Sequence, residues 1–232
     1  MAAIGRLTEG PAQVPATKLL VLGLTRMFQP VHGYVVRREL LTWNVDQWAS
    51  VNPGSIYGAL RGLAKDGYLE EVETEVEGNR PARTTFRVTG DGEAEFFGLF
   101  REHLWRDVDC NDLSGLRAAL SFMWVVTREE VIQAMEHRIG LLEGQLREQR
   151  FAWTQLMQLD EKPEHIIEHH HLDAAIITGH LEWTRAFVQR LRDGRYAFVG
   201  EPDVGAPWHD ELAERGVVGG PDPPVLPNRP DP

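Results

Sequence analysis

The sequence predicts a mainly α-helical protein that carries one small β-hairpin. Three observations lead to this prediction. Apolar residues recur at helical spacing in several segments before residue 66. Residues 71–88 alternate apolar and charged side chains around a turn, which is typical of two strands with one exposed face. Residues 128–158 then repeat apolar side chains in alternating steps of three and four, which indicates a second, helical unit.

The first two helices are predicted upstream of residue 42. Residues 17–28 are largely apolar, which indicates a buried helix, and Pro30 ends it because proline cannot continue a helix. Residues 32–41 form the second helix, which exposes two arginines. Residues 43–49 are expected to form a turn or a short helix before the next element.

A third helix begins after Asn52, which can cap its N-terminus and is followed by a proline suited to the first helical position. Ile56, Leu60 and Leu63 recur at helical spacing and predict a buried stripe. Gly67 supplies the stop. The opposite face of this helix comprises Gly54, Tyr57, Gly58, Arg61 and Lys65.

Two glycines on an exposed helical face are unusual, because a glycine destabilises a helix interior by up to about 1 kcal/mol relative to alanine. Small residues beside cations suit a helix that lies close to base edges in a major groove. The same glycines could instead ease packing of an ordinary surface helix against a neighbour. The residues of the helix alone leave both interpretations open.

The hairpin is predicted to be charged on one face. Glutamates alternate with apolar residues in residues 71–77, and a Gly-Asn turn follows. On the returning strand Arg83 and Arg87 can stand opposite those glutamates, so their charges are partly neutralised. Arg80, at the tip, then becomes the freest contact for a phosphate, whereas Arg87 is interpreted as an ordinary solvated charge.

Three helices followed by a hairpin form the winged variant of the helix-turn-helix arrangement. In helix-turn-helix proteins a recognition helix lies in the major groove, and the N-terminal N–H groups of a helix can bind phosphate. We therefore expect double-stranded DNA to be a partner of this chain.

Several short motifs of this half resemble the N-terminal domain of the PadR family of transcriptional regulators. The stretches HGYVVRREL, VNPGSIYGALRGLAKDGYLE and FRVTGDGEAEF carry the resemblance. The family motifs correspond here to Gly33-Tyr34, to Gly54-Ser55-Ile56-Tyr57, to Leu63 and Gly67, and to Thr89 and Gly92. The resemblance implies a winged helix-turn-helix domain followed by a helical dimerisation domain.

Within that fold we predict which residues contact DNA. Tyr57, Arg37 and Arg38 are expected mainly at phosphates, whereas Ser55, Gly58 and Arg61 are expected nearest to base edges. The full predicted set is Tyr34, Arg37, Arg38, Gly54, Ser55, Tyr57, Gly58, Arg61, Lys65, Arg80 and Arg83.

Composition limits which functions and cellular locations are expected for the chain. The chain has 232 residues, a net charge of −11 and a single cysteine, Cys110, which excludes an internal disulfide. The charge argues against indiscriminate nucleic-acid binding, and the absence of a long apolar run or a secretory signal predicts a cytoplasmic protein without a membrane partner. We expect four regions, namely a flexible arm (residues 1–15), the winged helix (16–106), a helical dimerisation and effector domain (107–199) and a disordered Pro/Gly-rich tail (200–232).

The long helix of the second half carries a coiled-coil-like seam, which only Gln149 interrupts with a polar side chain. The seam could also pack within one subunit, but the resemblance favours a homodimer because C-terminal helices clasp the partner in this family. Such a dimer predicts a pseudo-palindromic operator with half-sites about one helical turn apart, roughly 10 base pairs. The predicted dimerisation residues are Ile132, Met135, Ile139, Leu142, Leu146, Trp153 and Leu156.

A histidine-rich segment follows in residues 164–180. His165 and His169 are four residues apart, a spacing at which one helical turn can bind zinc or a similar divalent ion. Packing, surface hydrogen bonding and a pH response are the alternatives. Hydrolase chemistry is not supported, because Ile166 rather than a glutamate follows the first histidine.

Two tryptophans, Trp153 and Trp183, are candidates for contact with a planar small-molecule effector, with core or interface packing as the alternative. The sequence therefore predicts a ligand-responsive, DNA-binding repressor that needs no cofactor. Two alternatives remain, namely a metal-responsive regulator using residues 165–171 and a winged-helix protein-interaction module that does not bind DNA. An enzyme is the weakest interpretation, because no nucleophile-base pair, phosphate loop or carboxylate dyad has usable spacing.

Overall fold

The protein is mostly helical with one small antiparallel sheet, as the sequence predicted. The computed structural model describes residues 16–49, 53–73, 84–157, 165 and 167–201. The elements are α1 (Ala16–Phe28), β1 (Val31–His32), α2 (Gly33–Thr42), α3 (Pro53–Lys65), β2 (Leu69–Glu73), β3 (Thr84–Val88), α4 (Gly90–Trp105), α5 (Ser114–Leu120), α6 (Arg128–Leu156) and α7 (Ile167–Arg192), with short 3-10 turns at Val45–Gln47 and Met123–Val125.

Helix α1 forms the centre of the core. Its residues Leu19, Leu20, Val21 and Leu22 are all fully buried, because α1 packs against α3, α4 and α5 at once. This explains why its sequence is nearly continuously apolar rather than amphipathic. Gly23 lies on the side facing α5, where a Cβ atom would stand only 2.4 Å from the ring of Phe122.

The sheet has the strand order β1-β3-β2 and pairs Leu69 with Val88 across the hairpin. Strand β1 was not predicted, since the sequence placed His32 in the second helix and a two-residue strand has no detectable periodicity. Thr85 and Arg87 share a face of β3 by strand alternation but differ in burial. Thr85 is buried and donates a hydrogen bond from Oγ1 to the Val72 carbonyl at 2.8 Å, whereas Arg87 is exposed.

A capped junction fixes the end of α3 against the start of α4. Gly67 follows the C-terminus of α3 and has a φ of 83°. This conformation lets the Tyr68 N–H donate a hydrogen bond to the Leu63 carbonyl at 2.9 Å. The Thr89 hydroxyl accepts from the Gly92 N–H at 3.1 Å and donates to the Gly67 carbonyl at 2.7 Å. A Cβ at Gly92 would lie 2.0 Å from the Tyr68 carbonyl oxygen, so only glycine fits there.

The second half is dominated by the antiparallel pair of α6 and α7. Arg128, at the start of α6, donates to the carbonyls of Leu191 and Arg195 at 2.9 and 2.6 Å and forms an ion pair with Glu201 at 2.6 Å. These contacts hold the chain that follows α7 against the beginning of α6. Among the helices of the described ranges, none is long and apolar enough to cross a membrane.

Candidate functional site

Helix α3 buries one face and exposes the other, as its sequence predicted. Ile56, Leu60 and Leu63 are each at most 3% exposed and face α1 and α2. The exposed residues of α3 include Gly54, Tyr57, Gly58, Arg61 and Lys65, whereas Ser55 is half-buried. A Cβ atom at Gly58 would meet nothing within 4 Å, so no neighbour in the described chain requires this residue to be glycine.

The start of α2 lies directly beside this face. A Cβ at Gly33 would stand 3.0 Å from Leu60 Cδ1 and 3.1 Å from Tyr57 Cε1, so a glycine allows the two helices to approach closely. The neighbouring Tyr34 is 50% exposed, and its ring stacks on His32 with centroids 5.5 Å apart. Tyr34 and Tyr57 therefore extend the exposed face from α3 onto α2.

Cations on this face differ in how they are neutralised. Within the described ranges Arg37, Arg61 and Lys65 form no ion pair. Arg38 lies 3.2 Å from the buried carboxylate of Glu39. Three cations therefore have no ion-pair partner among the described residues and could meet an anion supplied by a partner molecule.

The base of the wing is partly self-neutralised, but by a glutamate that precedes the predicted set in residues 71–77, because Glu71 lies opposite Phe86 in the strand register. Arg87 stands opposite Glu70 in the strand register, and their charged groups are 3.4 Å apart. Both side chains are about half exposed, so the pair contributes at most about 1 kcal/mol. The predicted contacts Arg80 and Arg83 lie outside the described residues.

Only some residues of the predicted dimerisation seam are accessible to a partner subunit in the single chain. Met135 and Leu142 have no exposed surface and Ile132 is 8% exposed in the single chain, because α7 and the core already cover them. The polar residue Gln149 likewise contacts the same chain, with Oε1 3.2 Å from His170 Nδ1. Surface for a partner therefore remains only at the half-buried members of the set, which are Ile139, Leu146, Trp153 and Leu156.

An exposed apolar stripe on α7 was not predicted as a seam. Leu172, Ile176 and Trp183 are 60, 37 and 38% exposed, and Gly179 lies between the last two. Their spacing of four, three and four residues is the period that places side chains on one side of a helix. The signal was present in the sequence, where packing was one of the interpretations left open for this segment, but it was not interpreted as a surface for a partner.

The predicted histidine pair does not share a helical turn. Helix α7 begins at Ile167, so His165 precedes it, and both His165 and His169 are exposed. Within the described ranges no group of three His, Cys, Asp or Glu side chains could hold a metal ion. The neighbouring His171 instead packs on Trp153, with ring centroids 4.7 Å apart.

The two candidate tryptophans have different surroundings. Trp153 is half-buried against His171, whereas Trp183 stacks on Phe187 at 5.2 Å between centroids and forms part of the wall of a cavity of about 390 Å³. His180 lies in the same wall. Of the two, only Trp183 borders this space.

Comparison with known proteins gives a family match for the first half. The model of the transcriptional regulator PadR-like family matches residues 21–97, which include α1 from Val21 onward, α3 and the wing. No curated protein matches the chain at a significant level.

Solved structures of similar proteins cover most of this chain. Bacillus subtilis PadR in complex with operator DNA is 14% identical, covers 75% of this chain and 98% of its own, and has a TM-score of 0.35. The protein smu.1604c from Streptococcus mutans UA159 is 20% identical over 76% of this chain and 96% of its own, with a TM-score of 0.33. Bacillus subtilis PadR in complex with p-coumaric acid is 15% identical over 78% and 99%, with a TM-score of 0.31.

Proposed function

We propose that this chain, whose residues 21–97 match the model of the PadR-like family of transcriptional regulators, is a ligand-responsive repressor that binds a pseudo-palindromic operator as a homodimer. Residues 16–106 contact the DNA in this proposal. Residues 107–199 form the dimer and receive the effector. The observation that carries the proposal is the exposed face of α3, with its open glycine and with Arg61 and Lys65, for which the described part of the chain offers no ion pair.

The chemistry of this face fits a duplex. Ser55, Gly58 and Arg61 contact base edges, because Arg61 offers a bidentate donor to guanine and Gly58 leaves room for the base pair. Tyr57 and Arg37 contact phosphates at the edge of the groove. The remaining proposed contacts are Tyr34, Arg38, Gly54, Lys65, Arg80 and Arg83.

Dimerisation compensates for the low DNA affinity expected of a single winged-helix domain. The net charge is −11 and Arg87 is already occupied by Glu70, so few cations per subunit are available to displace counterions from DNA. When two winged-helix domains belong to one rigid dimer, the second domain binds its half-site without a further loss of translational freedom. We propose the α7 stripe of Leu172, Ile176 and Trp183 as the dimer surface, together with the half-buried residues of the seam on α6.

The DNA proposal is tested with fragments from the promoter region of the protein's own gene. Arg61→Ala should weaken specific binding by about 1–3 kcal/mol and relax discrimination at one operator position, whereas Arg87→Ala, which removes a paired cation, should change affinity little. Footprinting and binding isotherms at several salt concentrations measure both. Equal affinities and footprints for Arg61→Ala and the unsubstituted protein contradict this assignment.

Complete absence of salt-dependent retention on DNA would instead favour the winged-helix protein-interaction module. The glutamates on β2 and the acidic balance of the chain are the observations that favour this second candidate.

The dimer proposal is tested by sedimentation. Leu172→Glu places a charge at the most exposed residue of the stripe and should shift the protein toward monomer, because an unpaired charge in an apolar interface is costly. Ala94→Glu adds the same charge at an exposed position of α4 and serves as the control. Unchanged mass for Leu172→Glu would exclude the stripe as the dimer surface.

A further inference from the structure

His32 joins the start of α2 to the root of the wing. It is the N-cap residue of α2, but its side chain makes no capping hydrogen bond. Its Nδ1–H instead donates to the carbonyl oxygen of Thr84, the first residue of β3, at 3.2 Å. The backbone of His32 also pairs with Thr85 in the antiparallel sheet. The half-buried imidazole is therefore fixed between α2 and the wing, which both carry proposed DNA contacts.

The Thr84 carbonyl determines which nitrogen of the His32 ring carries the proton. A carbonyl oxygen only accepts hydrogen bonds, so Nδ1 must be the donor. In a neutral imidazole the other nitrogen, Nε2, then has a lone pair and can only accept. A phosphate oxygen of DNA also only accepts. Nε2 can therefore donate to a phosphate only after the ring has gained a second proton.

The ring of His32 lies beside the proposed DNA-binding face. It stacks on the ring of Tyr34, with centroids 5.5 Å apart and planes 20° apart, and Tyr34 is 50% exposed. In helix-turn-helix domains the helix before the recognition helix crosses the DNA backbone, and the N-terminal end of a helix favours an anion. A phosphate that meets Tyr34 at the start of α2 is therefore within reach of the imidazole stacked on it.

Within the described ranges no carboxylate forms an ion pair with His32. Glu39 is already paired with Arg38 at 3.2 Å. Glu70 is paired with Arg87 at 3.4 Å. The ionisable groups of the surrounding elements are Tyr34, Arg37, Arg38 and Glu39 on α2, Tyr57, Arg61 and Lys65 on α3, Arg87 on β3, and Glu70, Glu71 and Glu73 on β2, which lies on the far side of β3 from His32. A DNA phosphate would thus supply a negative charge that α2 and β3 do not bring to the ring.

We propose that His32 contacts a DNA phosphate as an imidazolium, so that each subunit takes up a proton from the buffer when it binds DNA. In the complex Nδ1–H donates to the Thr84 carbonyl and Nε2–H donates to a phosphate oxygen. The phosphate stabilises the charged ring, because a charge-assisted hydrogen bond is stronger than a neutral one. This inference deepens the proposed DNA-binding function and rests on it.

Calorimetry on the full chain tests the proposal, with a duplex from the promoter region of the protein's own gene and buffers of different ionisation enthalpy. The unsubstituted protein should take up as much as about one proton per subunit near neutral pH. Its affinity for the duplex should fall by at least about threefold per subunit between pH 6 and pH 8, because the free ring loses its charge in this range.

Three variants separate the phosphate contact from a merely structural role. His32→Asn keeps an amide that can donate to Thr84 but has no group in place of Nε2, so it should lose the proton uptake and bind more weakly at pH 6. His32→Gln places a neutral N–H near Nε2 and should retain part of the affinity without the pH dependence. His137→Gln is the matched control, since it removes an exposed histidine of α6 and should keep both.

A set of duplexes with single methylphosphonate substitutions identifies the partner. Replacing one phosphate of each half-site by this neutral group should abolish the proton uptake of the unsubstituted protein and should not affect His32→Asn further. If no position abolishes the uptake, a phosphate is not the partner of His32 and the proposal is overturned.

The proposal is also overturned if DNA binding takes up no proton, if His32→Asn takes up as much as the unsubstituted protein, or if His137→Gln loses the uptake. If His32→Asn does not fold, a pH dependence retained by His32→Gln overturns the proposal. DNA binding that is independent of pH refutes only the proton-linked contact. Absence of DNA binding at every pH refutes the proposed function itself, so the two failures are distinguishable.

Discussion

Substitution of Gly58 by alanine should change stability and DNA affinity in opposite directions. Gly58 lies in the interior of α3, and an added Cβ would meet nothing within 4 Å. Alanine is favoured over glycine in a helix interior by about 0.8–1.0 kcal/mol, so the free energy of unfolding should rise by about that amount. For a chain of this size the melting temperature should then increase by about 2–4 °C.

The same methyl group should weaken DNA binding, because in our proposal the space beside Gly58 is occupied by a base pair. We expect a loss of about tenfold or more in affinity, equivalent to about 1.4 kcal/mol. Gly98→Ala is the matched control, since Gly98 is an exposed glycine inside α4 that also has nothing within 4 Å of an added Cβ. It should give a similar stabilisation without loss of affinity.

Thermal unfolding and operator-binding isotherms are measured on the unsubstituted protein, Gly58→Ala and Gly98→Ala. A stabilised Gly58→Ala variant that binds operator as tightly as the unsubstituted protein would refute the placement of α3 against base edges. A destabilised Gly58→Ala variant would refute the assignment of this position to an open helical face.

Three further predictions concern the scaffold. Gly92→Ala should destabilise the protein by at least about 1–3 kcal/mol in chemical denaturation, because its Cβ would overlap the Tyr68 carbonyl, and a normal unfolding curve would contradict the close contact. Gly23→Ala should be similarly destabilising through collision with the buried Phe122 ring, and a paired Phe122→Leu substitution should recover part of the loss. Because the folded-state pKa of His180 is lowered from 6.5 to about 4, its contribution to stability is present at neutral pH and is lost as pH falls through that window, up to about 3 kcal/mol. His180→Asn should flatten the dependence of unfolding free energy on pH between these values, and an unchanged slope would exclude His180 as its source.

Most of the winged-helix half could be predicted because each element carries a local signal. The apolar run of α1, the periodicity of α3 and the positive φ of Gly67 are encoded within a few neighbouring residues. The motif of Thr89 and Gly92 was recognised by resemblance, and the structure supplies its physical reason, namely a capping hydrogen bond and a contact too close for a Cβ.

Elements that depend on distant partners were missed. Strand β1 exists because Val31 pairs with Phe86, more than fifty residues away, and two residues are too few to show a period. Thr85 alternates onto the face of the exposed Arg87 but is buried, and its hydroxyl bonds to the facing strand. The spacing of His165 and His169 suggested that both lie on one helix, but α7 begins at Ile167, so His165 precedes it.

The sequence by itself determined that one face of α6 is apolar and that α3 pairs a buried stripe with an open, cationic face. Only the tertiary structure decided which surface meets that apolar face, since periodicity reports that a side of a helix is buried but not whether a neighbouring helix or a second subunit buries it. In this chain α7 covers Met135 and Leu142, which leaves Leu172 and Trp183 exposed. The burial of Arg138 likewise follows from long-range packing of α5, α6 and α7, because the cost of a buried charge depends on neighbours that no local pattern encodes.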